Sequence, residues 1–134
     1  MDPRGIHHLG VAVADLDEAL GTYTRLFGAK LEQRATVPEQ GVEAAAVLVG
    51  SGRVELVSPL AGDTPVGRFL ASRGPGMHHV AFEVADIRAA LAALRSEGAE
   101  LIDAEPHEGL FGLEVAFVHP DSVHGVLAEV VSHG

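Results

Sequence analysis

Ile6-His7-His8-Leu9-Gly10-Val11-Ala12-Val13-Ala14-Asp15-Leu16-Asp17-Glu18-Ala19-Leu20 lies over Met77-His78-His79-Val80-Ala81-Phe82-Glu83-Val84-Ala85-Asp86-Ile87-Arg88-Ala89-Ala90-Leu91, with seven of fifteen positions identical. Both copies then reach a Gly-Ala step, Gly28-Ala29 and Gly98-Ala99. A second match closes each half, Val54-Glu55-Leu56-Val57-Ser58 over Ala128-Glu129-Val130-Val131-Ser132. A His-His pair, an Asp and a Glu-bearing strand recurring in the same order mark an internal duplication.

The local patterns fill in the repeating unit. His7 to Ala14 alternates in polarity and size and reads as a strand. Asp15 with Glu18 has the form of a capping box, and Leu16, Leu20, Tyr23 and Phe27 mark one face of a helix that stops near Gly28. Strands follow at about 30–37, 42–49 and 53–58. Thr64-Pro65 opens a short linking helix through Leu70, and Arg73-Gly74-Pro75-Gly76 breaks the chain before the second copy. That copy gives a strand at 78–85, a helix at 87–98, and strands near 100–104, 113–119 and 126–131. The fold class is therefore α+β, two tandem βαβββ modules at about 5–60 and 77–132 with a linker helix at about 64–73. One module is too small to close a core alone, so residues 1–134 are expected to form a single domain.

Composition limits the functions available. A chain of 134 residues that is 47% hydrophobic can bury a core. It has no cysteine, which excludes disulfides, thiolate zinc sites and thiol nucleophiles. The net charge of −10 argues against nucleic acid, whose phosphates need clustered Lys and Arg. Met1-Asp2-Pro3-Arg4-Gly5 does not resemble a signal peptide, and no apolar run approaches spanning length, so a cytoplasmic protein without a membrane segment is expected.

Strand alternation sorts the histidines. His8, Gly10, Ala12 and Ala14 share one face of the first strand, and His79, Ala81, Glu83 and Ala85 share one face of the fifth. The opposite faces carry Leu9, Val11 and Val13, and Val80, Phe82 and Val84, which suit packing under a helix. The second histidine of each pair thus stands among small residues that leave room for a ligand. Glu55 and Glu129 each interrupt an apolar strand, a costly placement unless the carboxylate is paired, protonated or ligated. Two histidines and two glutamates related by the repeat point to one divalent metal ion on His8, His79, Glu129 and Glu55. Imidazole and carboxylate suit Mn, Co, Ni, Fe or Zn, and spacing does not choose among them. His7 and His78 read as structural, and His107, His119, His124 and His133 as surface histidines near loops or strand ends.

The βαβββ repeat with these His and Glu positions resembles the vicinal oxygen chelate superfamily, which contains glyoxalase I, extradiol dioxygenases and methylmalonyl-CoA epimerases. The resemblance covers nearly the whole chain. Val37-Pro38-Glu39-Gln40-Gly41-Val42, Gly76-Met77-His78-His79-Val80 and Gly125-Val126-Leu127-Ala128-Glu129 are together similar to the methylmalonyl-CoA epimerase family. The resemblance implies interconversion of (R)- and (S)-methylmalonyl-CoA by proton transfer at C2 through a metal-stabilised enolate. It implies His8, Glu55, His79 and Glu129 as ligands, Co2+ or Mn2+ foremost with Ni2+ or Zn2+ as substitutes, and a homodimer. Some members carry Gln at the Glu55 position. Some place a glutamate base four residues after the Gln of the Gln-Gly-Val turn, where this chain has Ala44. Glu43, one residue earlier, is the nearest candidate for the second acid–base group beside Glu129, and it can serve only if a bulge or shifted register near Gly41 re-aims it. A glyoxalase I-like lyase and a non-catalytic binding or resistance protein of the same fold are the rival expectations.

Overall fold

The computed structural model describes residues 1–133. They comprise strands β1 (Pro3–Ala12), β2 (Lys30–Val37), β3 (Val42–Val49), β4 (Gly52–Pro59), β5 (Gly76–Val84), β6 (His107–Glu108), β7 (Glu114–Val118) and β8 (Ala128–Ser132). The helices are α1 (Leu16–Phe27), α2 (Pro65–Arg73) and α3 (Ile87–Ser96). No helix among the described residues is long and apolar enough to cross a membrane.

Two compact units emerge. One is His8–His78; the other joins Met1–His7 to residues 79–133. The divisions fall immediately before His8 and immediately before His79, so the first seven residues group with the second copy of the repeat. Ala85 N–H there donates to Asp2 O at 3.2 Å.

In the 8–78 unit the strand order is β2-β3-β4-β1. β1 runs parallel to β4, with Gly10 opposite Glu55 and Val11 opposite Leu56. β3 runs antiparallel to β4 through an uninterrupted register from Val42↔Pro59 to Val49↔Gly52. Directly opposed residues share a face, so the sheet has two distinct sides. Val11, Val13, Val54, Leu56 and Ala45 lie beneath Leu16, Ala19, Leu20 and Tyr23 of α1. His8, Gly10, Ala12, Glu55, Ala44 and Ala46 occupy the other side. Asp15 caps α1 by accepting from Glu18 N–H at 3.0 Å, and Gly28 ends it in the left-handed region at φ 64°.

The other unit repeats this plan in β5, α3, β8 and β7. β5 is parallel to β8, with Ala81 opposite Glu129; β7 is antiparallel to β8, with Phe117 opposite Glu129. Asp86 caps α3 through Ala89 N–H at 3.1 Å. Ile87, Ala90 and Leu91 of α3 bury Val84, Ala116 and Val130. Ala81, Leu113, Val115 and Val131 pack on the opposite side.

The second copy departs from its pattern at its edge. The strand expected near 100–104 is reduced to a single bridge, Leu101↔Val118, and edge pairing resumes only in β6. Asp103 is the reason. Its carboxylate accepts Phe117 N–H at 2.8 Å, taking a ladder donor away from the backbone, and Pro106 offers no N–H to resume pairing.

α2 follows the sequence signal, with Thr64 capping Gly67 N–H and Pro65 in the first turn. Gly67 is buried, and a Cβ built on it would stand 2.6 Å from Ala61 O and 2.7 Å from Gly62 O, both backbone atoms. A Cβ on Gly21, in the middle of α1, would meet nothing within 4 Å. Gly67→Ala is therefore expected to destabilise the protein by about 1–3 kcal/mol through overpacking. Gly21→Ala should stabilise it by about 0.5–1 kcal/mol through helix propensity. Opposite shifts in urea midpoint check both; shifts of the same sign would contradict the packing described for α2.

Candidate active site

Each unit buries one imidazole beside one carboxylate. On β1, His8 follows an alternation that sends Leu9 and Val11 toward α1 and leaves His8 facing the other way. It is 3% exposed, and Glu55 on the adjacent β4 is 8% exposed. His8 Nε2 lies 3.4 Å from Glu55 Oε2. Burial lowers the His8 pKa below 6.5, more than the Glu55 carboxylate raises it, and Arg53 lowers it further. The imidazole is thereby kept neutral, with a lone pair to offer.

His79 and Glu129 repeat the arrangement on β5 and β8. His79 Nε2 lies 3.7 Å from Glu129 Oε1, and the two residues are 5% and 2% exposed. Phe117, opposite Glu129 in the register, meets the His79 ring edge-on at 5.6 Å. Desolvation pushes the Glu129 carboxyl up to about 8; His107 pulls it down and Asp103 pushes it up. A carboxylate removed from water favours its neutral form until a cation or donor compensates the charge.

The first histidine of each pair has a different setting. His78 packs edge-on against Phe69 of α2 at 5.0 Å, with the Arg73 guanidinium over the other ring at 5.7 Å. That matches the structural role expected for it. His7 is buried and lies near Phe111 and His133.

Glu43 is the main correction to the sequence reading. Its register partner is Ser58, while Ala44 opposes Val57 and Ala46 opposes Glu55. Glu43 therefore points to the α1 side of the sheet, and no bulge in the β3–β4 register turns it round. Arg34 Nε donates to its Oε2 at 3.0 Å, and Arg34 Nη1 donates to Asp17 of α1 at 2.6 Å. The carboxylate is a solvent-edge ion pair on the wrong face for the His8–Glu55 pair. Ala44 has the right face but no acid–base group.

His107 is not the surface residue that its sequence context suggests. It is half-buried on β6, its Nε2 lies 3.3 Å from Asp103 Oδ2, and it acts electrostatically on Glu129. Nothing local marks it, because its place depends on the broken edge strand. His119 behaves as expected for a loop residue; its Nδ1 accepts from Asp121 N–H at 3.0 Å.

Comparison with known proteins agrees with this architecture. A family model described as the Glyoxalase/Bleomycin resistance protein/Dioxygenase superfamily matches residues 7–117. The chain is 36% identical to the mitochondrial methylmalonyl-CoA epimerase of Bos taurus over 93% of its length and 72% of that protein's. The crystal structure of methylmalonyl-CoA epimerase from Mycobacterium tuberculosis superposes with a TM-score of 0.94 at 33% identity, covering 98% of this chain and 89% of that one. Streptomyces coelicolor methylmalonyl-CoA epimerase in complex with 2-nitronate-propionyl-CoA gives a TM-score of 0.94 at 34% identity, covering 98% of each chain.

Glu129 and His8 oppose one another in their effect on stability. Glu129 is raised from 4.5 to about 8, so between those values the native state binds more protons than the unfolded chain. Its contribution is full below 4.5 and is lost as pH rises through 8. His8 is lowered, so its contribution is present above 6.5 and is lost as pH falls through its folded value. In metal-free protein, wild type should lose stability relative to Glu129→Gln as pH rises from about 5 to 9. Urea midpoints measured across that window check this, and parallel profiles for the two proteins would contradict it.

Proposed function

The chain belongs to the Glyoxalase/Bleomycin resistance protein/Dioxygenase superfamily, and on that footing we propose that it is a metal-dependent epimerase of 2-methylmalonyl thioesters of coenzyme A. The proposed ligands are His8, Glu55, His79 and Glu129, with Glu129 also moving the proton. The observation that carries the reading is the pair of matched half-sites, each a buried imidazole beside a buried carboxylate on the same repeat positions.

The donor chemistry fits a divalent cation. His8 is neutral through burial, and the carboxyl of Glu129 is held at about 8 by lack of water. A cation relieves the second condition and uses the first. When bound, such an ion supplies positive charge that stabilises an enolate oxygen of the substrate. It also offsets the net charge of −10, which otherwise disfavours an anionic thioester. Co2+ or Mn2+ is the proposed ion.

The protein's own groups supply the rest. Burial excludes water from Glu129, and a carboxylate within hydrogen-bond reach of the acidic carbon can take and return its proton. Asp103 and His107 set the local field at that carboxylate. With Glu43 committed to Arg34, the second proton comes from a donor other than Glu43, such as water. A homodimer is proposed with this activity, supported by exposed apolar side chains such as Ile6 and Met77.

The decisive experiment is deuterium incorporation at C2 of methylmalonyl-CoA by protein loaded with Co2+ or Mn2+. Wild type should exchange the proton, and Glu129→Gln should be slower by about 10²–10⁴-fold. Absence of exchange in the wild type overturns the reading and directs attention to glyoxalase-type or sequestering functions. Glu43→Gln should exchange within about twofold of wild type for both epimers, since that carboxylate faces α1; the margin is that of a lost surface ion pair. His79→Ala should lose most bound metal and His78→Ala should keep it. Equal metal content in those two variants would remove His79 from the ligand set.

A further inference from the structure

A second cluster of metal-type donors lies in the unit formed by residues 1–7 and 79–133. Ligand atoms of His7, Glu83 and His133 all fall within 4.8 Å of one another. His133 Nε2 is 3.4 Å from Glu83 Oε2, and the His7 and His133 rings meet at 6.3 Å with an interplanar angle of 67°. The Phe111 ring lies edge-on to that of His7, 6.5 Å away at 71°. We propose that His7, Glu83 and His133 form a separate binding site for a divalent ion of the zinc type.

The chemistry of the three donors favours this class of ion. Two imidazoles with one carboxylate form a three-ligand set that leaves a coordination position for water. Imidazole nitrogen selects zinc, copper or nickel over calcium and magnesium, which prefer all-oxygen shells. Ligand atoms around tetrahedral zinc stand about 3.4 Å apart. The Glu83–His133 pair already has that spacing, and side-chain rotation of the exposed His133 can close the rest.

This site is distinct from the one on His79 and Glu129. Glu83 lies four residues beyond His79 on the same face of β5, about 13 Å along the strand. No single ion spans that distance. The three donors also come from three separate segments: His7 from β1, Glu83 from β5, and His133 from the residue after β8. Because His133 follows β8 directly, an ion held there ties the segment after β8 to two strands. Its expected effect is stabilisation.

The test is titration of EDTA-stripped, re-dialysed full-length protein with ZnCl2, with bound zinc measured after desalting. Wild type should hold two equivalents. His133→Ala should hold one, and so should Glu83→Gln. His79→Ala should also hold one, and the His79→Ala/His133→Ala double variant none. His133 is 68% exposed at its side chain, so its replacement leaves the fold intact. Zinc should raise the Tm of His79→Ala and leave that of the double variant unchanged. His124→Ala serves as a control for zinc on a solvent-exposed histidine and should keep both equivalents. If His133→Ala holds as much zinc as wild type, or if His124→Ala loses the second equivalent, the proposal is wrong. A failure of the His79–Glu129 reading looks different: His79→Ala would then match wild type while His133→Ala still lost its equivalent.

Discussion

A carboxylate deprived of water governs this protein. Glu129 sits on β8, opposite Phe117 on one neighbour strand and Ala81 on the other, and is 2% exposed. Ionising a carboxyl there is unfavourable without a compensating positive charge. The fold tolerates it by setting an imidazole beside it and by raising its proton affinity into the neutral range. The imidazole and the carboxylate so placed are also donors of the kind a divalent cation binds. The same structural problem recurs at Glu55 beside His8, so the duplication copied both a liability and its remedy.

The framework that holds these groups is simple. Each unit sets a strand against a helix capped by an aspartate, Asp15 or Asp86, and keeps bulky apolar residues on the helix side. The opposite side of β1 and of β5 carries the histidine and small residues. Strand alternation makes the assignment binary, which explains why neighbouring residues have unrelated roles. His8 faces a carboxylate, while His7 reaches His133 and Phe111. Ala44 faces the site, while Glu43 binds Arg34 over α1.

The copies have diverged where divergence is cheap. The edge of the second unit is broken by Asp103, whose side chain takes the Phe117 amide. That local loss of pairing frees His107 to approach Asp103 and influence Glu129. The edge of the first unit is a full strand, β2, whose Arg34 and Glu32 form ion pairs with Glu43 and Arg53. Such pairs contribute little to stability, so the difference between the units is one of chemistry more than of folding energy.

The sequence by itself determined the repeat, the helix caps, most of the strands and the face on which His8, Glu55, His79 and Glu129 lie. All of these follow from short-range rules: a period of two in strands, an aspartate before a helix, a glycine after it. It also carried the family, because the matching stretches span the chain. Tertiary structure decided what depends on partners far apart in sequence. Glu43 was a candidate base until the register with β4 and the reach of Arg34 fixed its direction. His107 looked like a loop histidine because its importance rests on a strand that fails to form. His7, Glu83 and His133 have no common local signal, being separated by 76 and 50 positions, and only folding brings their donor atoms together. Alternation assigns a side chain to a face, but which other side chains wait on that face is set by long-range strand pairing.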